Sequence, residues 1–303
     1  MYQQALFEDD QLTRVVNVAS VPQRSPFRYP GGKTWLVPHV RKWLWSKEKR
    51  PTELIEPFGG GGIIGLTAAA ENLAKHVTLV ELDDEVAAVW HTLLGRDASW
   101  LANRILSVKL SREYLERELQ RKPRSTREKA FQTILKNRTF HGGILAPGSR
   151  PLNYGENGKG ILSRWYPATL ARRIVNIAAI RDRVSFVEGD GIEVIRRASS
   201  RPSVAFFIDP PYTADGKRAG TRLYKHCDLD HKRLFQTVSE VRGDFLMTYD
   251  DAPGVRVLAE NHGFDIEVVR MKNTHHEKMK ELLVGRNLIW ARPRVNATAA
   301  GAA

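Results

Sequence analysis

Residues 52–94 alternate between short apolar runs and segments of helical composition, and this alternation constrains the fold more than any other feature of the sequence. A strand-like run, TELIEPF, leads into four consecutive glycines, Gly59 to Gly62, and then into IIGLTAAAENLA, which has helical composition. A second strand candidate, HVTLVELD, and a second helix candidate, EVAAVWHTLL, follow. The order strand, loop, helix, strand, helix predicts the opening of a doubly wound α/β sheet.

The alternation stops near residue 92 and resumes with the strand candidates RVSFVEGD, VAFFIDPPY, GDFLMTYDD and GFDIEVVRM. Each of these apolar runs is short and bounded by Gly, Pro or Asp, as buried strands are. Between them lie charged helices around Arg112–Gln120 and Thr126–Leu135 and a Gly/Pro/Asn-rich stretch. We therefore predict an α/β domain with a largely helical insert. The predicted boundaries are a flexible arm at 1–26, the α/β domain at 27–91 and 174–292, the insert at 92–173 and a disordered tail at 293–303.

The insert holds most of the excess positive charge. Lys and Arg exceed Asp and Glu by 47 to 34 in the whole chain, which gives a net charge of +13. Between Arg104 and Arg173, 16 Lys or Arg stand against 5 Glu, so this stretch alone carries +11. A concentrated basic segment attracts a polyanion, most often a nucleic acid, although a basic surface that only improves solubility has the same charge.

The glycine loop and the acid after the next strand form a candidate nucleotide site. Glycine permits positive φ and lets backbone N–H groups approach a ligand, and the following helix N-terminus favours a negative group. Glu81 ends the second strand, 20 residues past Gly61, where doubly wound folds place an acid that binds ribose hydroxyls. A plain tight turn and a solvent-facing acid are the alternatives. GGK at Gly31 to Lys33 is not a Walker A loop, because position 27 is Phe.

The sequence Asp209-Pro210-Pro211-Tyr212 follows the buried strand candidate VAFFI and is the most specific motif in the chain. A carboxylate and a backbone carbonyl can accept the two hydrogens of an amino group such as adenine N6, so that its lone pair faces a methyl donor. The prolines are rigid and lack a competing N–H donor. Tyr212 offers a flat face for a base swung out of a duplex. A Pro-Pro turn with an aromatic side chain packed nearby is the alternative.

Taken together, these motifs resemble the Dam-type (D12 class) N6-adenine-specific DNA methyltransferase family. The shared segments are FRYPGGK (27–33), EPFGGGG (56–62), the strand-end acid Glu81, NRTFHGG (137–143) and DPPYT (209–213). They occur in the family's order, with the insert between the glycine loop and DPPY, and cover about residues 27–290. After NRTFHGG the insert departs from the stretch typical of GATC methylases, so the resemblance implies no particular recognition sequence.

The resemblance implies a Rossmann-like domain that binds S-adenosylmethionine (SAM), with the insert as target-recognition domain. Tyr29 and Lys33 would help bind SAM, Glu81 would hold its ribose, and Asp190 would contact its adenine amino group. Asp209 would contact both the cofactor and the target N6. The full set of predicted cofactor contacts is Tyr29, Lys33, Glu56, Pro57, Phe58, Gly59, Gly61, Glu81, Asp190 and Asp209, and the catalytic set is Asp209, Pro210, Pro211 and Tyr212.

The implied substrate is adenine in double-stranded DNA. Some Arg and Lys side chains of the insert should contact phosphates and others base edges. The sequence does not assign individual residues to either kind of contact. The candidate DNA contacts are Lys136, Asn137, Arg138, Arg150, Lys159 and Arg164, with Arg172 and Arg173 as further cations.

Three other functions share part of this sequence pattern with a DNA adenine enzyme. An RNA adenine methyltransferase would carry the same DPPY motif, whereas the basic insert and the family motifs favour DNA. A cytosine N4 enzyme is possible because that amine is similar, but by family resemblance it would carry Ser at position 209, where this sequence has Asp. A non-catalytic nucleic-acid-binding protein with a degenerate SAM fold is disfavoured by the intact motifs.

Other classes of protein are excluded by simpler features. No run of about 18 apolar residues could span a membrane, and the N-terminus lacks the apolar core of a secretory signal. The single cysteine, Cys227, excludes an internal disulfide framework and a cysteine-rich zinc site. We expect a cytoplasmic protein, nucleoid-associated through DNA, without a metal. A cognate restriction endonuclease as partner and the oligomeric state are left open.

Overall fold

In the computed structural model, residues 20–28, 32–211, 229–272 and 278–292 are described. Within them, seven strands form one mixed sheet. The strands are β1 (Glu53–Glu56), β2 (His76–Glu81), β3 (Val184–Glu188), β4 (Val204–Ile208), β5 (Asp244–Asp250), β6 (Asp265–Lys272) and β7 (Lys278–Gly285). Their order is β3-β2-β1-β4-β5-β7-β6; the first five are parallel, and β7 runs antiparallel to both neighbours. The prediction of a doubly wound α/β sheet is confirmed.

Helices pack on both faces of the sheet. They are α1 (Val37–Trp45), α2 (Ile63–Ala70), α3 (Asp84–Leu94), α4 (Ala98–Ser107), α5 (Arg112–Gln120), α6 (Thr126–Thr139), α7 (Pro167–Ala179), α8 (Gly191–Ala198), α9 (His231–Ser239) and α10 (Pro253–Asn261). In the part of the chain that is described, no helix is long and apolar enough to cross a membrane.

Side chains of the central strands alternate between two hydrophobic clusters, one on each face of the sheet. In β1, Leu54 belongs to the cluster with α1 to α7, whereas Ile55 belongs to the cluster with α8, α9 and α10. Phe207 and Phe206 of β4 divide in the same way. Successive strand residues point to opposite faces, so strands covered on both sides are apolar throughout. This explains why the sequence shows continuous apolar runs here.

The helices of the predicted insert share the core of the α/β domain. Trp90 of α3, Phe131 of α6 and Ile174 of α7 are buried in one cluster, and α6 and α7 both pack on α3. The predicted boundaries at 91/92 and 173/174 fall inside α3 and α7. Val21 and Pro26 of the predicted arm are buried, Val21 in the same cluster. The division into domains remains a prediction.

Candidate active site

The carboxyl ends of the parallel strands bring several acids to one edge of the sheet. Glu56 and Glu81 end β1 and β2, Asp209 directly follows β4, and Asp250 ends β5. Because parallel strands end at the same edge, these acids from distant segments become neighbours, in the region where open α/β sheets bind ligands. Across residues 20–28, 32–211, 229–272 and 278–292, no group of three or more His, Cys, Asp or Glu side chains is arranged to hold a metal ion.

The glycine loop between β1 and α2 needs glycine for its backbone and for its close packing. Gly60 and Gly62 have φ of 43° and 61°, which lie in the left-handed region. A Cβ at Gly62 would lie 2.7 Å from the Trp90 ring. The Trp90 indole Nε1 donates to the carbonyl of Gly60 over 3.0 Å, so a buried side chain of α3 fixes the loop.

Glu81 faces this loop from the end of β2. Its Oε2 accepts from the N–H of Gly60 over 2.9 Å, and its Oε1 accepts from the N–H groups of Leu82 and Asp83. Burial raises the pKa of the Glu81 carboxyl, and these backbone donors act in the opposite direction. The predicted ribose-binding acid is therefore oriented by backbone N–H groups and lies against the glycine loop.

Glu56 and Pro57, at the start of the glycine loop, contact the first turn of α2 and the N-terminus of α8. Glu56 Oε2 accepts from the N–H of Gly65 over 2.7 Å, and burial raises the pKa of Glu56 to about 8. A Cβ at Gly191 would lie 2.3 Å from the Pro57 carbonyl oxygen, so only glycine allows this approach. Asp190 is exposed and caps α8, accepting from the N–H of Ile192 over 2.7 Å.

Asp209 has a fixed orientation. Its Oδ1 accepts from the Thr248 hydroxyl over 2.8 Å and lies 3.1 Å from Lys33 Nζ. Lys33 is only 3% exposed, and its ammonium also lies 3.4 Å from Oε2 of the buried Glu281. A buried cation between two carboxylates is held by charge in a region of low dielectric constant. The arrangement can present Asp209 as a rigid hydrogen-bond acceptor.

Tyr249 feels the charge of Asp209, and His231 contacts Tyr249 in turn. Tyr249 is buried beside Thr248 in β5, and its pKa is raised by burial and by the charge of Asp209. Its hydroxyl is 3.0 Å from Nδ1 of His231, the first residue of α9. Burial lowers the pKa of His231, which favours the neutral imidazole.

The family model of the D12 class N6 adenine-specific DNA methyltransferases matches residues 29–274, most of the chain. The chain belongs to this family. The resemblance inferred from the motifs is thereby confirmed. No curated protein sequence matches this methyltransferase.

Solved structures with a similar fold include three other methyltransferases. The rRNA methyltransferase aviRa from Streptomyces viridochromogenes is 14% identical, with a TM-score of 0.39 over 92% of this chain and 93% of that chain. A SAM-dependent methyltransferase from Agrobacterium tumefaciens is 10% identical, with a TM-score of 0.39 over 84% of this chain and 61% of that chain. Precorrin-6y C5,15-methyltransferase from Geobacter metallireducens is 10% identical, with a TM-score of 0.35 over 91% and 94%. All three are too distant to bear on substrate.

Most of the predicted site residues of the methyltransferase lie at this edge of the sheet. Pro210 is buried and Pro211 half-buried directly after Asp209, and Phe58 packs against the core beside the loop. Gly59 donates its N–H to the Val80 carbonyl over 2.7 Å, which ties the loop to β2. Gly61 is half-buried in the same loop. Tyr29 and Tyr212 lie outside the described residues, so their predicted roles remain predictions.

Two of the predicted DNA contacts are instead buried inside the methyltransferase, which corrects that prediction. Asn137 is 0% exposed; its side chain accepts from the Arg28 N–H and donates to the carbonyls of Arg28 and Gly143. Arg138 is 5% exposed and donates to the Pro26 carbonyl. An unpaired buried backbone group is costly, so these side chains fix the backbone at Pro26 and Arg28. The motifs NRTFHGG and FRYPGGK are therefore in direct contact.

The other predicted DNA contacts have different degrees of exposure. Lys136 is partly buried and is held by Glu85 and by the Leu145 carbonyl. Arg150 and Lys159 are exposed, and Arg164 is half-buried. Their predicted role in DNA binding remains untested.

Sequence patterns did not indicate three residues of the site. Thr248 and Tyr249 lie in the strand candidate GDFLMTYDD, where nothing but the pairing of β5 with β4 indicates that they approach Asp209. Glu281 lies in KMKELLVG, which has the charge pattern of an exposed segment. Only its position in β7, beside β5, brings it to the site.

Proposed function

We propose that this methyltransferase transfers a methyl group from SAM to N6 of adenine in double-stranded DNA, with the target base rotated out of the duplex. The observation that carries the proposal is the fixed carboxylate of Asp209. It begins a DPPY motif at the ligand-binding edge of the sheet, beside the glycine loop, in a chain of the N6-adenine family.

The chemistry of the side chains at this edge fits SAM. Glu81 would accept hydrogen bonds from the ribose hydroxyls, and Asp190 would accept from the adenine amino group. Lys33 would help bind SAM through Asp209, which it holds in place, and the Asp209 carboxylate would attract the ammonium group of the methionine part of SAM. Gly59 and Gly61 would let the backbone lie close to the cofactor. When bound, SAM supplies the methyl group that N6 receives.

The residues of the DPPY motif would prepare the amine. Asp209 would accept one N6 hydrogen, and the backbone carbonyl of Pro210 would accept the other, so the nitrogen lone pair turns out of the ring plane. Neither proline has an N–H that would compete for these acceptors. After transfer, the nitrogen loses a proton, and the Asp209 carboxylate is the acceptor already in contact with it. Tyr212 would stack on the extruded base.

Positive charge on the side of the insert supports a polyanionic substrate. Arg28, Arg138, Arg164 and Arg173 form an arginine cluster in which Arg138 and Arg173 both donate to carbonyls of the segment before Arg28. Burial, with Arg173, Arg28 and Arg164 nearby, lowers the pKa of Arg138 to about 9. The described residues offer Arg138 Nε no hydrogen-bond acceptor. Phosphates of a nucleic acid at the less buried Arg28, Arg164 and Arg173 would relieve this repulsion, while Arg138 stays bonded to the backbone.

The test is transfer of tritium from labelled SAM to duplex DNA, to RNA and to no acceptor, followed by identification of the methylated base. We expect N6-methyladenine in DNA, and we expect Asp209→Ala to lower the rate at least ~100-fold while DNA binding is retained. The exposed Asp182→Ala variant is the matched control and should keep full activity. Methylation of RNA alone would replace the proposed substrate, and near-normal turnover of Asp209→Ala would refute the catalytic assignment.

A further inference from the structure

Glu281 is a buried acid next to the reacting edge that the proposed mechanism does not use. It lies in β7, paired with Asp250 of β5 on one side and with Val269 of β6 on the other. The residue is 5% exposed, and its Oε2 is 3.4 Å from Lys33 Nζ. The same ammonium lies 3.1 Å from Asp209 Oδ1. Glu281 therefore reaches Asp209 through a single intervening cation.

We propose that Glu281 is a positioning residue: by holding the Lys33 ammonium, it keeps Asp209 oriented and charged for the N6 amine. This inference rests on the proposed function. Lys33 and Thr248 both approach Oδ1 of Asp209, which fixes the rotation of the carboxylate about its terminal bond. Glu281 is the second carboxylate in contact with the Lys33 ammonium. The strand β7 thereby contributes to the site.

Charge, as well as shape, explains why an acid occupies this position. A lysine paired with Asp209 alone would withdraw negative charge from the carboxylate that must accept the amine hydrogen. With Glu281 ionised, the ammonium is shared between two carboxylates, and Asp209 remains a strong acceptor. With Glu281 neutral, the ammonium shifts toward Asp209. The rate of methyl transfer should then fall while the binding of substrates changes little.

The ionisation of Glu281 gives a signature that a purely structural residue would not show. Burial raises its pKa to about 7; Lys33 lowers it, while Asp209 and Asp250 raise it, and the cross-strand partner of Glu281 in β6 is the apolar Val269. Glu281 should therefore lose its charge as the pH falls through about 7. We expect kcat/KM for SAM, which reports groups of the free enzyme, to decrease below that pH.

The experiment compares the full-length wild type with Glu281→Gln, which keeps the shape and removes the charge, and Glu281→Asp, which keeps the charge. Steady-state transfer to duplex DNA is measured from pH 5.5 to 9, with SAM affinity and thermal unfolding in parallel. Glu267→Gln, on the neighbouring strand and paired with Arg292, is the control. We expect kcat of Glu281→Gln to fall at least ~10-fold with KM within ~3-fold, because the Lys33 ammonium loses one of its two ion-pair partners.

Further outcomes separate the possibilities. The positioning role is supported if kcat/KM of Glu281→Gln no longer decreases below about pH 7. Partial recovery of kcat in Glu281→Asp supports it as well. Normal kcat in Glu281→Gln, or a wild-type profile that is flat between pH 6 and 8, overturns it; the second result applies even if the Gln variant does not fold. Wild-type protein that methylates no nucleic acid would overturn the proposed function itself, and this role with it.

Discussion

Glu56→Gln tests how strongly the sheet edge penalises a buried negative charge. Glu56 is buried at the end of β1, where its Oε2 accepts from the N–H of Gly65. Burial, and secondarily the charge of Asp209, raises the pKa of Glu56 from 4.5 to about 8. Glutamine has the shape of the protonated acid and can still accept from Gly65. The substitution therefore removes the titration and leaves the packing in place.

The direction and the size of the change in unfolding free energy with pH follow from the difference in proton binding between the folded and unfolded states. Below pH 4.5 the Glu56 carboxyl is protonated in both the folded and the unfolded state. No charge is then buried on folding, and the contribution of Glu56 to the free energy of unfolding is at its maximum. Between 4.5 and 8 only the folded state keeps the proton, and stability falls by ~1.4 kcal/mol per pH unit. The whole interval corresponds to ~5 kcal/mol as an upper bound. Wild type should therefore lose stability relative to Glu56→Gln as the pH rises, with the loss complete above about 8.

Urea unfolding of both proteins at several values of pH between 4.5 and 9 measures this difference. The difference between the two proteins is needed because Glu81 and Glu281, whose pKa values are also raised, change the stability of both in the same direction. We expect Glu56→Gln to gain at least ~2 kcal/mol over wild type between pH 5 and 8.5. Parallel curves for the two proteins would mean that Glu56 is ionised in the folded state without penalty, and would refute this account of the site.

Two other substitutions test the cofactor edge. Gly62→Ala should destabilise the protein by about 2–4 kcal/mol in urea unfolding, because it combines positive φ with a clash against the buried Trp90; Gly254→Ala, with no atom within 4 Å of its Cβ, is the control and should be neutral or slightly stabilising. Glu81→Ala should weaken SAM binding by about 1–3 kcal/mol in calorimetry, whereas Glu188→Ala, the exposed acid that ends β3, should not; equal affinities would remove Glu81 from the site.

The local order of elements could be predicted from sequence, and the pairing of the last strands could not. The helices predicted around Arg112–Gln120 and Thr126–Leu135 are α5 and α6, the latter continuing to Thr139. The strand β7 has no predicted counterpart, because KMKELLVG alternates charged and apolar residues only in part. Its place between β5 and β6 depends on long-range pairing, which local patterns do not encode.

The same limit applies to the site. Glycines, prolines and strand-end acids could be recognised because each is required by local backbone geometry or by chemistry at a strand terminus. Asn137 and Arg138 were misassigned because a polar side chain in a basic segment has the same sequence signature whether it meets DNA or a buried carbonyl. Burial decides between the two, and it depends on the contact between α6 and a segment more than 100 residues earlier in the chain.

That contact also relates the two charged regions of the proposed enzyme. The sheet edge carries acids and would attract the cationic sulfonium, while the arginine cluster would attract phosphates. Arg28 belongs to the cluster, and Lys33, only five residues later, is in contact with Asp209. Asn137 fixes the backbone of Arg28 through both its N–H and its carbonyl. A phosphate held at Arg28 would therefore lie at a set position relative to Asp209, so Asn137→Ala should reduce kcat on duplex DNA more than it weakens SAM binding. Equal losses in both measurements would mean that the segment only supports the fold.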